Sequence, residues 1–370
     1  MAGPSAPGGV SVRLQRPEPD STSAELLEHL GLQPFRPRPP WWGADLQTLR
    51  DTLRPDSLPD RQSTALELPL GPSSQGEGGS LLARLDPPAA AEGVPVGPPK
   101  GLVLLLHGLG GSSQAEGVRR LGWCLNRAGF SVLRLNMRGA GEGRALATGT
   151  YAARCSTDLA PALERARQLA AGGPLLAVGL SLGGTVLLNA VLDGVVRLEG
   201  LALVSSPLDL AHCSATISSP RNRLYERWLL ERLRQQTLND VPRPDGALSE
   251  RLRRVASIRE FDALITAPRW GYADVDAYYR QASPLPRLLE PPPTQPPLPP
   301  TLILQALDDP WVPAAGARAL GLEPHRQEHR RLEVLLSPGG GHNGFHAPGG
   351  CWSDQLVLRW LEQRLGSSVC

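Results

Sequence analysis

Apolar residues fall into short unbroken runs through the middle of the chain, separated by longer stretches where they recur every three or four positions. Leu102–Leu106, Ser131–Asn136, Leu175–Val178, Leu201–Val204, Leu302–Gln305 and Leu332–Leu336 are runs of the first kind. They do not alternate with polar residues, which marks strands covered on both faces. Gln114–Ala128, Thr157–Ala171 and Asp354–Leu365 carry the helical period. Strand and helix in turn predict an α/β protein, a parallel sheet with helices on both faces. Ligands in such sheets sit at the carboxyl ends of the strands. Nearer the N-terminus, Ala65–Leu70 and Ser80–Leu85 flank a Gly/Ser-rich turn and read as a hairpin.

The alternation breaks between 207 and 290. Arg221–Gln235 is amphipathic, Ser249–Arg259 is charged, and Trp270–Tyr279 is aromatic. This predicts a mostly helical cap inserted in a core of residues 35–206 and 291–370. Pro291–Pro300 reads as a stiff connector from cap to strand. Residues 1–34, Pro/Gly/Ser-rich at their start, read as a flexible N-terminal arm. Tyr272, Tyr278 and Tyr279 are the cap aromatics placed to wall an apolar pocket.

The chemistry concentrates at Gly179-Leu-Ser-Leu-Gly183. A strand-like run precedes it, and the helix-like Thr185–Leu192 follows at once. In that setting Gly-x-Ser-x-Gly is a nucleophile elbow, with Ser181 on a sharp strand-to-helix turn. A serine hydroxyl needs a base, and the base needs an acid to orient it. The fold's chain order is Ser, then acid, then His. Asp309 follows the strand Leu302–Gln305 and His342 follows Leu332–Leu336, both on the rim that holds Ser181. Asp308 and His346 are their respective rivals. Backbone N–H groups of Leu109 and Leu182 are the expected oxyanion donors. His107, at the end of Leu102–Leu106, reads as a loop brace.

Composition narrows the field without adding chemistry. Among 370 residues, 38 Lys+Arg oppose 36 Asp+Glu, a net +2 that gives no footing for nucleic acid. The basic residues are almost all arginine, a mark of GC-rich coding. Five scattered cysteines form no Cys-x-x-Cys pair, so neither a disulfide framework nor a zinc site is indicated. The histidines have no metal-ligand spacing, and Gly108–Ser113 lacks the Gly-Lys ending of a phosphate loop and the spacing of a dinucleotide loop. No metal or cofactor is expected. The first residues lack a signal peptide's basic and apolar regions, and no apolar run approaches the ~20 residues of a membrane span. The expected location is cytoplasmic, although Trp41 and Trp42 leave peripheral membrane contact through the arm open.

Several pieces together resemble the YheT-like branch of the α/β-hydrolase superfamily. They are Asp45–Leu49, Leu106–Ser113, Asn136–Gly139, Val178–Gly184, Phe261–Pro268, Tyr278–Ser283, Ala306–Pro310 and Gly340–Phe345. The resemblance implies a mostly parallel eight-stranded sheet with a helical cap. It implies carboxylic ester hydrolysis by Ser181, His342 and Asp309 or Asp308, on a small or lipid-like ester. Tyr151–Cys155 and Thr185 depart from the family pattern. An alcohol acyltransferase using the same acyl-enzyme, and a non-catalytic protein on the same fold, are the competing readings.

Overall fold

The computed structural model describes residues 21–59, 63–71, 78–89, 97–240, 243–322 and 331–366. Strands β1 (Thr64–Leu70), β2 (Gly79–Asp86), β3 (Leu102–Leu106), β4 (Ser131–Leu135), β5 (Leu175–Leu180), β6 (Gly200–Val204), β7 (Thr301–Ala306) and β8 (Leu332–Ser337) form one sheet. Its order is β1-β2-β4-β3-β5-β6-β7-β8. The hairpin β1–β2 and the β2–β4 pairing are antiparallel, and all pairs from β4 across to β8 are parallel. The expected mostly parallel eight-stranded sheet is therefore observed.

Alternate residues of the same strands feed two cores. Leu102, Leu104, Leu106, Ala177 and Leu203 face α4 (Ser156–Leu169) and α5 (Leu182–Leu192). Val103, Leu105, Val178 and Ala202 face α3 (Glu116–Arg127) and the C-terminal helix Trp352–Gly366. A pleated strand sends successive side chains to opposite faces. Strands apolar at every position thus need helices on both sides.

Two expectations change. The expected flexible arm of residues 1–34 contains a helix, and its first twenty residues lie outside the described part. Ser21–His29 is a helix, α1, against β8; Leu27 and Leu30 are buried and Ser23 Oγ accepts from Leu336 N. Trp41 is buried too, whereas Trp42 is exposed. The second change concerns helix bounds after β6. The expected helix Arg221–Gln235 runs over Arg223–Leu238, because Pro220–Asn222 forms a 3₁₀ turn. The expected Ser249–Arg259 splits into Gly246–Arg254 and a new helix at Ile258, capped by Asp245 and Ser257 respectively. Each cap oxygen satisfies an N–H that the helix start leaves free.

Between β6 and β7 the chain runs through α6 (Leu210–Ile217), α7 (Arg223–Leu238), α8 (Gly246–Arg254) and the short helices up to Leu289. They hold a small core of their own, with Leu230, Leu233, Leu252 and Phe261. Leu109, from the loop after β3, packs against this core and against the main one.

Candidate active site

Ser181 lies between β5 and α5 with φ 52° and ψ −129°, a strained backbone for a residue with a side chain. Two glycines make the turn possible. A Cβ on Gly179 would lie 2.2 Å from Gly184 Cα, and one on Gly183 would lie 2.5 Å from His107 O. The turn therefore presses the start of α5 against the ends of its own strand and of β3.

The ring of His342 spans Ser181 and Asp309. Its Nε2 is 2.9 Å from Ser181 Oγ and its Nδ1 is 2.9 Å from Asp309 Oδ2. Asp309 is a fully buried carboxylate with four donors around it. Besides His342, it accepts from Trp311 N (2.8 Å), Val312 N (3.0 Å) and Gln305 Nε2 (3.2 Å). These donors hold both oxygens in place, so the imidazole meets a fixed acceptor. That arrangement selects the tautomer with the proton on Nδ1 and leaves Nε2 free to accept from the serine.

The two rivals have other duties. Asp308 accepts from Gly341 N at 2.9 Å and so braces the histidine loop; its burial raises the carboxyl above the usual range. His346 turns away from Ser181 and meets Asp51 at 3.1 Å, where burial lowers its basicity. His107 is buried, with Nδ1 2.8 Å from Gly108 O and Nε2 accepting from Met137 N. Burial lowers its pKa to about 4, so it stays a neutral brace.

The N–H groups of Leu109 and Leu182 meet no acceptor among the described residues. Both residues line the cavity beside Ser181. The Leu109 loop is held by Tyr151, whose hydroxyl accepts from Gly110 N at 2.8 Å and reaches Gly108 O at 3.2 Å. Tyr151 comes from the segment that departs from the family pattern, and it supports the loop itself.

Three supports were not singled out from the sequence. Helix α2 (Gly43–Leu53) packs on the histidine loop: Thr48 Oγ1 accepts from His342 N at 2.9 Å, and Gln47 bonds His346 through both main-chain groups. A Cβ on Gly341 would lie 2.4 Å from Ala44 O, so the loop must bend closely around this helix. Trp311 lies over the His342 ring with centroids 4.5 Å apart. The signal available was Asp45–Leu49 itself, visible as a motif but with no partner in sequence.

A cavity of about 400 Å³ opens onto Ser181 and His342. Its walls include Leu210, Ile217, Leu229, Leu233 and Phe261 from the helices between β6 and β7. Tyr278 and Tyr279 line it, whereas the expected Tyr272 does not. Asp262, on a π-helical turn at the wall, accepts from Thr266 and Tyr279; burial raises it to about 6.

A family model described as alpha/beta hydrolase fold matches residues 101–347. The Escherichia coli (strain K12) protein YheT is 30% identical over 280 residues, 72% of this chain and 78% of its own length. Human phospholipase ABHD3 is 29% identical over 250 residues, 66% of this chain; the match spans 58% of that protein. Medium-chain fatty acid ethyl ester synthase/esterase 2 of Saccharomyces cerevisiae is 28% identical over 57% of this chain and 51% of its own. Among solved structures, an esterase of Pyrococcus furiosus aligns with a TM-score of 0.50 at 13% identity. The alignment covers 84% of this chain and 99% of that one, a likeness of fold.

Proposed function

This chain belongs to the YheT-like branch of the α/β-hydrolase family, and on that premise we propose that it is a serine hydrolase of carboxylic esters. The observation that carries the reading is the single imidazole bridging a strained serine and a buried carboxylate, at 2.9 Å on each side. Ser181 Oγ attacks the ester carbonyl as His342 Nε2 takes its proton. Asp309 holds the ring and stabilises the imidazolium that forms. The N–H groups of Leu109 and Leu182 receive the oxyanion, aided by the N-terminus of α5. His342 then protonates the departing alcohol, leaving an acyl-Ser181 ester. Water, deprotonated by the same imidazole, attacks that ester and releases the acid.

The apolar cavity walls favour an acyl chain over a charged group. Two relatives are named for lipid esters, a phospholipase and a fatty acid ethyl ester synthase/esterase. We therefore assign the substrate to lipid-like esters, with residues 207–290 acting as a cap that walls the acyl site. The synthase in the second name keeps a further reading: an alcohol replaces water in the second step. The yield of ethyl ester against free acid, with ethanol added, separates the two.

The test is Ser181→Ala. It should remove fluorophosphonate labelling and lower kcat on p-nitrophenyl butyrate by about 10⁶-fold, with the melting temperature kept. Activity above a tenth of the parent's would overturn the reading.

A further inference from the structure

The outer face of α7 does not suit water. Leu224 is 81% exposed and Trp228, one helical turn on, is 43% exposed. Residues four apart share one face of a helix. Next to them, at the start of α2, the N-cap Trp42 is 58% and Leu46 is 40% exposed. The two helices are joined at Asp45, which accepts from Arg221 at 3.0 Å and from the Tyr225 hydroxyl at 2.9 Å. These residues therefore make one surface. Large apolar side chains gathered on an exposed face mark an interaction site.

Apart from Asp45 and Glu231, the charge around this surface is positive. Arg223, Arg227 and Arg232 are exposed and form no ion pair among the described residues. Glu231 is the one acidic residue on the exposed face of α7, and Arg234 pairs with it. The Arg232 guanidinium sits over the Trp228 ring, 4.7 Å from its centroid. Trp and Leu flanked by unpaired arginines on a helix lying along the surface suit the boundary of an anionic bilayer. A two-fold dimer through this face would set these arginines against their own copies. Both Trp228 and Arg232 also line the cavity that opens onto Ser181, so they stand at its mouth.

We propose that the face formed by Leu224, Trp228, Trp42 and the arginines of α7 docks on an anionic lipid surface and sets the cavity mouth against it. Lipid esters then enter the cavity without crossing water. This purpose rests on the ester-hydrolase reading, whereas the docking itself does not.

The experiment measures sedimentation of the full chain with vesicles of phosphatidylcholine alone and of phosphatidylcholine with phosphatidylserine. The parent should bind the anionic vesicles, and less so as salt rises. Arg223→Gln/Arg227→Gln should weaken binding roughly 30-fold, about fivefold for each charge. Leu224→Ser should weaken it about tenfold. Neither variant touches the cavity, so both should keep the parent's melting temperature and its rate on a soluble acetyl ester. Ser181→Ala should bind as the parent does. If the parent binds but hydrolyses no ester, docking stands and the hydrolase reading falls. Equal binding to neutral vesicles, unchanged binding by both variants, or a dimer that Leu224→Ser dissociates would overturn the proposal.

Discussion

Replacing Asp309 by asparagine removes one charge and keeps the shape. In the parent, Asp309 accepts from four donors, two of them the main-chain N–H groups of Trp311 and Val312. An asparagine can satisfy those two only by turning its carbonyl oxygen toward them. Its NH₂ then faces His342 Nδ1, which must become an acceptor. The imidazole proton moves to Nε2 and points at Ser181 Oγ, so the base can no longer take the serine's proton. We expect kcat on p-nitrophenyl butyrate to fall by about 10⁴-fold. That is about 5.4 kcal/mol of barrier at 1.36 kcal/mol per decade. Asp308→Asn is the matched control. Asp308 makes one bond to the site, to Gly341 N, which an amide oxygen can still accept. Its loss should stay under about tenfold. Labelling by a fluorophosphonate should follow the same order. Melting curves on both variants separate lost chemistry from lost fold. A larger loss for Asp308→Asn, or more than a tenth of the activity left in Asp309→Asn, would refute the reasoning.

Gly183→Ala puts a Cβ 2.5 Å from His107 O and 2.7 Å from Leu106 O, both main-chain atoms. It should cost about 1–3 kcal/mol in a urea melt and abolish hydrolysis. Gly246→Ala, with open space around it, is the control and should leave both unchanged. Leu233→Ala enlarges an apolar wall of the cavity and should flatten the kcat/KM gain from acetyl to octanoyl esters. The scale is about 0.8 kcal/mol per buried CH₂. Tyr272→Phe, off the cavity, should leave the ratio alone; equal effects would remove these helices from the acyl site. Asp262 holds its proton more tightly folded, at about 6, than unfolded, near 3.8. Its contribution to stability is therefore full below about pH 4 and lost as pH rises through about 6. Asp262→Asn should melt with the parent at about pH 4 and higher than the parent at about pH 7. Parallel curves across that range would sink the assignment.

The elements that read well in the sequence are those whose signal is local. An apolar run such as Leu102–Leu106 is buried on both faces wherever it sits, so its strand follows from composition alone. The strained turn at Ser181 is legible for the same reason: the glycines, the strand and the helix that strain it are neighbours in the chain. The α1 helix was missed because its short apolar face acquires meaning only against β8, about 310 residues on. Trp41 and Trp42 look alike in sequence, yet one is buried and the other exposed. Asp308 and Asp309 are adjacent and chemically identical. What separates them is the direction of the Trp311 and Val312 N–H groups, set by how the loop turns after β7. Thr48 reaches His342 across 294 residues, and no periodicity encodes such a contact. Secondary structure and the strained serine turn follow from short-range sterics and hydrophobic pattern. The carboxylate that meets His342, the clamp on the histidine loop and the charged apolar face of α7 arise only when folding brings distant segments within hydrogen-bonding and packing distance.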